Sequence, residues 1–139
     1  MRQGAGVLLV ARDTGRVLLL KRSESVSTEP GTWAIPGGKV DRGETVQTAA
    51  IRELREEAGY GGPMVVSAKP IFILEGADLV FSTYIGLVEH EFEPWLNWES
   101  DDAKWCRLSR LPRPIHFGVK EMMRLVDVDS EARSICLLP

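Results

Sequence analysis

The sequence predicts an α/β fold: one mixed sheet with helices packed on its faces. Three observations predict it. Apolar runs and turn signals follow the order strands, helix, strands, helix, an order that layers helices on a sheet. Residues 4–11, with V-L-L-V at their heart, read as a buried strand rather than a solvent-facing one. The chain has 139 residues, 44% apolar and 27% charged, enough for one core-bearing domain expected to occupy residues 1–139.

Each element follows in turn. After the first strand, Asp13-Thr14-Gly15-Arg16 is turn chemistry, and residues 17–22 form the returning strand. Residues 23–32 are polar, contain Pro-Gly and read as a loop. Residues 33–39, W-A-I-P-G-G-K, give a strand and a paired glycine that permits close backbone approach. A helix follows, with Thr45 as its N-cap and Gly59 as its C′ glycine. Gly61-Gly62-Pro63 closes it off. Residues 65–67, 69–75 and 79–88 read as strands, with Gly76-Ala77-Asp78 as a turn between the last two. Residues 89–102 read as an acidic loop carrying Pro94, Trp95 and Trp98. Residues 103–108 are a short strand, and 117–126 a second helix with Val119, Met122, Met123 and Val126 on one face. Trp33, Met122 and Met123 are expected in the core.

The first helix is the informative one. Ile51, Leu54 and Ala58 mark its buried stripe. Beside that stripe, Glu53, Glu56 and Glu57 fall within an arc of roughly 100°. Run as R-E-L-R-E-E, these residues would also suit an ordinary solvated helix. The strand and glycine loop leading into them change the balance. Carboxylates crowded beside a glycine loop form a unit suited to holding a divalent cation and a phosphate. Arg52 lies four residues before Glu56 and can pair with it.

These residues resemble the Nudix box, G-x5-E-x7-R-E-U-x-E-E-x-G-U, where U is bulky and apolar. Gly38, Glu44, Arg52, Glu53, Glu56, Glu57 and Gly59 match every fixed position, and Leu54 fits the first U. Tyr60 is aromatic where the second U is aliphatic, a departure that bears on packing more than on chemistry. Trp33 to Lys39 before the box, and Trp105 with Leu111-Pro112 after it, also look like the family. The resemblance implies a Nudix-type α/β/α sandwich with a mixed sheet. It implies metal-dependent attack of water on a diphosphate linkage, with Mg²⁺ or Mn²⁺ as cofactor.

Carried onto this sequence, the resemblance gives Glu53, Glu56 and Glu57 as metal ligands, joined by the backbone carbonyl of Gly37. Arg52 would orient the carboxylates, and Glu44 would tie loop to helix. A further acid from a distant loop serves many family members as ligand or base. Glu99 and Asp102 are the candidates here, with Glu53 the candidate within the helix. Lys39 and Arg22 are candidate phosphate partners, and Trp95 and Trp98 candidate stacking partners for a base.

Composition narrows the partners. A formal charge of −3 argues against an extended nucleic-acid surface. Cys106 and Cys136 fit no zinc or redox spacing. No apolar leader or membrane-length run is present, so a cytoplasmic chain is expected. Two histidines and no H-E-x-x-H or Ser-His-Asp pattern speak against histidine-zinc sites and serine nucleophiles. The expected substrate is a nucleoside triphosphate, cleaved as MutT-like enzymes do to monophosphate and pyrophosphate. The alternatives are an ADP-ribose or nucleotide-sugar pyrophosphatase, an isopentenyl diphosphate isomerase-like enzyme, and a non-catalytic nucleotide sensor. Monomer and homodimer both remain open.

Overall fold

In a computed structural model that describes residues 1–136, the N-terminal run forms β1 (Arg2–Ala11), buried from Gly4 onward. Its side chains divide by parity. Ala5, Val7, Leu9 and Ala11 enter one core, and Leu8 and Val10 enter another on the opposite face. A strand buried on both faces has no need of alternation, so its sequence is an unbroken apolar run.

The remaining elements are β2 (Val17–Arg22), β3 (Trp33–Ala34), β4 (Gly37–Lys39), α1 (Val46–Ala58), β5 (Val65–Val66), β6 (Phe72–Glu75), β7 (Leu79–Val88), β8 (Ser100–Cys106), α2 (Phe117–Leu125) and α3 (Val128–Cys136). The sheet is mixed. β1 and β7 pair in parallel over the full length of β1, from Arg2 opposite Leu79 to Ala11 opposite Val88. β2 and β4 both pair antiparallel with β1, β2 near its end at Val10 and β4 near its start at Gly4 to Gly6. β8 and β3 extend the β2 side, and β5 and β6 pair with β7.

One core lies under α1 and holds Leu54, Ala50 and Ala58 against β1. Leu54 is fully buried; burying such a side chain contributes about 1.5–3 kcal/mol. The other core gathers Trp33, Ile85, Met122, Val128 and Ile135. The helices thus cover both faces, as the α/β/α reading expects.

Several elements differ from the sequence reading. β8 begins at Ser100, because its antiparallel register against β2 runs back to Arg22; residues 100–102 are strand, not loop. β6 begins at Phe72 rather than at residue 69. A third helix, α3, was not expected. Its signals are short: Asp127 Oδ1 accepts the Ser130 N–H at 3.1 Å, and Val128, Ala132 and Ile135 recur at helical spacing among polar residues.

Candidate active site

The box helix is held at both ends as its sequence prescribes. Thr45 Oγ1 accepts the Thr48 N–H at 3.1 Å. Gly59 takes the left-handed conformation at φ 69°, and its N–H reaches the Arg55 carbonyl at 3.0 Å. Tyr60 stacks on Phe92 at 4.3 Å, and Phe92 meets Trp105 edge-on at 5.4 Å. The aromatic residue at the second U position therefore packs the loop after β7 onto the end of the helix.

Arg52 organises one side of the site. It donates to Glu44 at 2.7 and 3.0 Å, to Glu53 at 3.0 Å, to Glu56 at 3.2 Å and to the Lys39 carbonyl at 2.9 Å. Glu44 also accepts the Asp41 N–H at 3.0 Å, so it joins the turn before α1 to the helix. The Arg52 guanidinium holds the Glu44 carboxyl below its ordinary range, and Glu44 in return raises the arginine.

The buried acids are Glu57 and Glu53, 5% and 8% exposed. The Gly37 N–H donates to Glu57 Oε2 at 2.6 Å. Burial pushes the Glu57 carboxyl up to about 9, with the charges of Glu99 and Glu53 and a hydrogen bond to Glu99 acting in the same sense. Burial also raises Glu53, against the pull of Arg52. Among the described residues, no lysine, arginine or histidine forms an ion pair with Glu57 or Glu99.

Glu53 lies directly against the backbone of Gly38. A Cβ there would stand 2.6–2.8 Å from the Glu53 carboxyl atoms. Glu56 is different: its side chain is 54% exposed and turned to Arg52. Among the described residues no three acidic, histidine or cysteine side chains stand ready to grip a metal ion as placed. The donor chemistry nevertheless fits a hard divalent cation. The charge of Glu99 raises both Glu53 and Glu57, and a cation among the three would offset that cost.

A cavity of about 370 Å³ opens beside these acids. Gly37 and Gly38, which touch Glu57 and Glu53, line it together with Glu99. Ile35, Leu74, Leu79, Phe81, Val119 and Met122 supply apolar wall, and Arg2, Arg22 and Lys39 supply charge. The sequence reading missed Arg2 and His116 as lining residues. Arg2 enters because β1 begins two residues earlier than its apolar run, a start set by pairing with β7.

Two expected residue sets lie outside the cavity. Trp95 and Trp98 are 83% and 68% exposed and do not line the cavity. Their loop crosses the end of α1 instead, where the Trp95 N–H donates to the Ala58 carbonyl at 2.8 Å. Asp102 is also outside the cavity: it sits on exposed strand β8 and accepts the Ala103 N–H at 2.8 Å, whereas Glu99 faces Glu57.

The raised carboxyls predict an unusual pH response. In chelator, Glu57 holds a proton in the folded state up to about 9, against 4.5 for an ordinary glutamate carboxyl. Its contribution to stability is therefore full below the lower value and is lost as pH rises through the upper one. His116, lowered chiefly by burial, acts in the opposite sense, so the comparison must be with Glu57→Gln. The Tm difference between wild type and Glu57→Gln should move against wild type as pH rises. The stabilisation by Mg²⁺ should grow over the same interval, because ligands must deprotonate to bind. A pH-independent difference in thermal melts would refute this account of Glu57.

The chain was compared with known proteins. The NUDIX domain model matches residues 1–126. Nucleoside triphosphatase NudI of Escherichia coli strain K12 / DH10B is 42% identical over 59 residues, covering 42% of each chain. The structure of the Nudix hydrolase RenU from M. smegmatis aligns over 99% of this chain and 89% of its own, with 25% identity and a TM-score of 0.79. That of a MutT NUDIX hydrolase from Burkholderia pseudomallei aligns over 88% and 95%, with 29% identity and a TM-score of 0.73. The chain spans less than half the length of the curated relatives it matches. The domain match covers the box, the sheet that carries it and the cavity beside it, so this chain belongs to the NUDIX domain family.

Proposed function

We propose that the chain hydrolyses a phosphoanhydride bond of a nucleoside triphosphate, releasing the monophosphate and pyrophosphate, as a single domain acting in the cytoplasm. The observation that carries this reading is the buried Glu57 carboxyl beside the half-buried Glu99, without a cationic partner among the described residues, at the mouth of a largely apolar cavity. Family membership supports the reaction class, and the NudI relative is a nucleoside triphosphatase by name. Among the described residues, no helix is long and apolar enough to cross a membrane.

Glu53, Glu57 and Glu99 would hold a divalent cation, with Glu56 joining them on release from Arg52. When bound, Mg²⁺ or Mn²⁺ supplies polarisation of phosphoryl oxygens and offsets charge on the leaving group. The protein's own groups do the rest. Arg52 fixes the Glu53 carboxyl, and the Gly37 N–H fixes that of Glu57. Glu99 is the base: it reaches the cavity and neighbours Glu57, so it can accept the proton of a water attacking phosphorus. Lys39 faces the phosphates, while Arg2, also in the wall, is paired with Asp78 at 3.0 Å. Arg22 is already engaged by Thr28, so it supports the wall rather than the substrate. Phe81, in the cavity wall, replaces Trp95 and Trp98 as the ring that stacks a base.

The cavity lies near the lower end of the ~300–1,000 Å³ range of small-molecule pockets, which favours one nucleoside over the two moieties of ADP-ribose. The isomerase reading loses its cysteine. Cys106 is buried outside the cavity, donates to the Val17 carbonyl and is pushed up to about 11 by burial.

The test is product release across ribo- and deoxyribonucleoside triphosphates and ADP-ribose, with Mg²⁺ and with chelator. Turnover of a triphosphate that stops in chelator is expected; full activity without metal would overturn the mechanism. Within it, Glu99→Gln should lower kcat by about 100-fold or more, in the range of a lost general base. Asp102→Asn should leave kcat unchanged. The reverse pattern would move the base to Asp102, and losses in neither would return it to Glu53.

A further inference from the structure

Residues 23–32, between β2 and β3, are fastened at two points. At the base, Arg22 Nε donates to the Thr28 carbonyl at 2.8 Å, and Arg22 Nη2 donates to Thr28 Oγ1 at 2.8 Å. At the tip, Glu29 reaches the start of α2. Its Oε1 accepts the Phe117 N–H at 3.1 Å, and its Oε2 lies 2.9 Å from His116 Nε2. His116 Nδ1 accepts the Gly118 N–H at 3.0 Å and caps the helix. Because Nδ1 is an acceptor, the ring proton sits on Nε2 and is donated to Glu29.

Glu29 is the one non-glycine residue with positive φ, 44°, among the described residues. A glutamate keeps that backbone only where its surroundings over-determine it. Here they are its own carboxylate contacts and the Thr32 hydroxyl, which donates to the Glu29 carbonyl at 2.8 Å. Both fastenings belong to the cavity, since Arg22, Thr28, His116 and Gly118 all line it. One side wall is therefore a joint between this segment and α2, with Glu29 closing the joint. Neither Glu29 nor His116 has a part in the hydrolytic chemistry above.

We infer that Glu29 and His116 form a latch that fixes residues 23–32 against the start of α2, sets the width of the cavity at that joint, and so positions the nucleoside part of the substrate. Both are positioning residues. The inference rests on the nucleotide reading of the cavity, and its test separates the two.

Glu29→Gly accepts the positive φ and removes both carboxylate contacts. His116→Asn keeps an acceptor able to cap the Gly118 N–H and loses the reach to Glu29. With the triphosphates of the same panel as probes, each variant should raise KM about tenfold, the effect of losing a charged hydrogen bond. Each should leave kcat within about threefold and the Mg²⁺ requirement unchanged. The double variant should add little to Glu29→Gly, because that change already removes the contact with His116. Hydrogen exchange at the Gly31 amide should quicken in every variant, and that at the Phe117 amide wherever Glu29 is replaced. A purely structural role would lower Tm without moving KM, and that result would overturn the positioning role. Exchange unchanged from wild type would overturn the latch itself. A wild type inactive on every triphosphate would refute the hydrolase reading, and the exchange measurement would still decide the latch.

Discussion

Glu57→Gln should lower kcat by at least ~100-fold, the scale of losing a principal electrostatic stabiliser, without lowering Tm in chelator. The two effects have one cause. Glu57 is buried beside Glu99 and Glu53, and burial alone already pushes its carboxyl upward. An amide of the same shape can still accept the Gly37 N–H and can donate to Glu99, as the protonated carboxyl does without metal, so the fold keeps its contacts. What is lost is the negative oxygen that a cation and a phosphoryl group require. Kinetics and thermal melts on one preparation check both halves. A fall in Tm matching the fall in kcat would mean that Glu57 holds the fold together rather than the chemistry.

The second large effect is expected from a methyl group. Gly38→Ala would place its Cβ within 2.8 Å of all three atoms of the Glu53 carboxyl group. What it meets is the end of a flexible side chain rather than backbone, so the carboxyl swings away and the strand stays paired. Tm should fall little, while kcat should fall by about 100-fold, as when a reacting group is misplaced by about 1 Å. Metal titration should show weaker Mg²⁺ dependence in the same variant. A large loss of Tm with near-normal kcat would show that β4, not Glu53, needs the glycine.

Much of this molecule was legible in its residues. The ends of α1 follow from Thr45 and Gly59, because caps are local chemistry. The fixed spacing of Gly38, Glu44, Arg52 and the three glutamates likewise pointed to the loop and helix that meet here. What was not legible depends on pairing between distant segments. Nothing near Ser100 announces a strand; its partner in β2 makes it one. Asp102 and Glu99 look alike in the sequence, and only the register of β8 turns one outward and leaves the other at the cavity. Trp95 and Trp98 had the right chemistry for stacking, but their loop is drawn to the far end of α1. The cavity wall itself gathers Arg2, Phe81, and His116 with Met122 from three separate stretches, and no local pattern marks such a set.

That wall has a consequence for how the protein can change. Its lining residues come from β1, β2, β3, β4, β6, β7, α2 and the loops at their ends, and none comes from α1. The helix bearing the acids is packed instead into its own core beneath β1, with Leu54 and Ala50 fully enclosed. Substitutions at Leu74, Leu79 or Val119 can therefore reshape what the cavity admits without moving Glu53 or Glu57. The two tasks, breaking the bond and choosing the molecule, are separable in the chain. A lineage can retune its substrate one wall residue at a time while the hydrolytic apparatus stays intact.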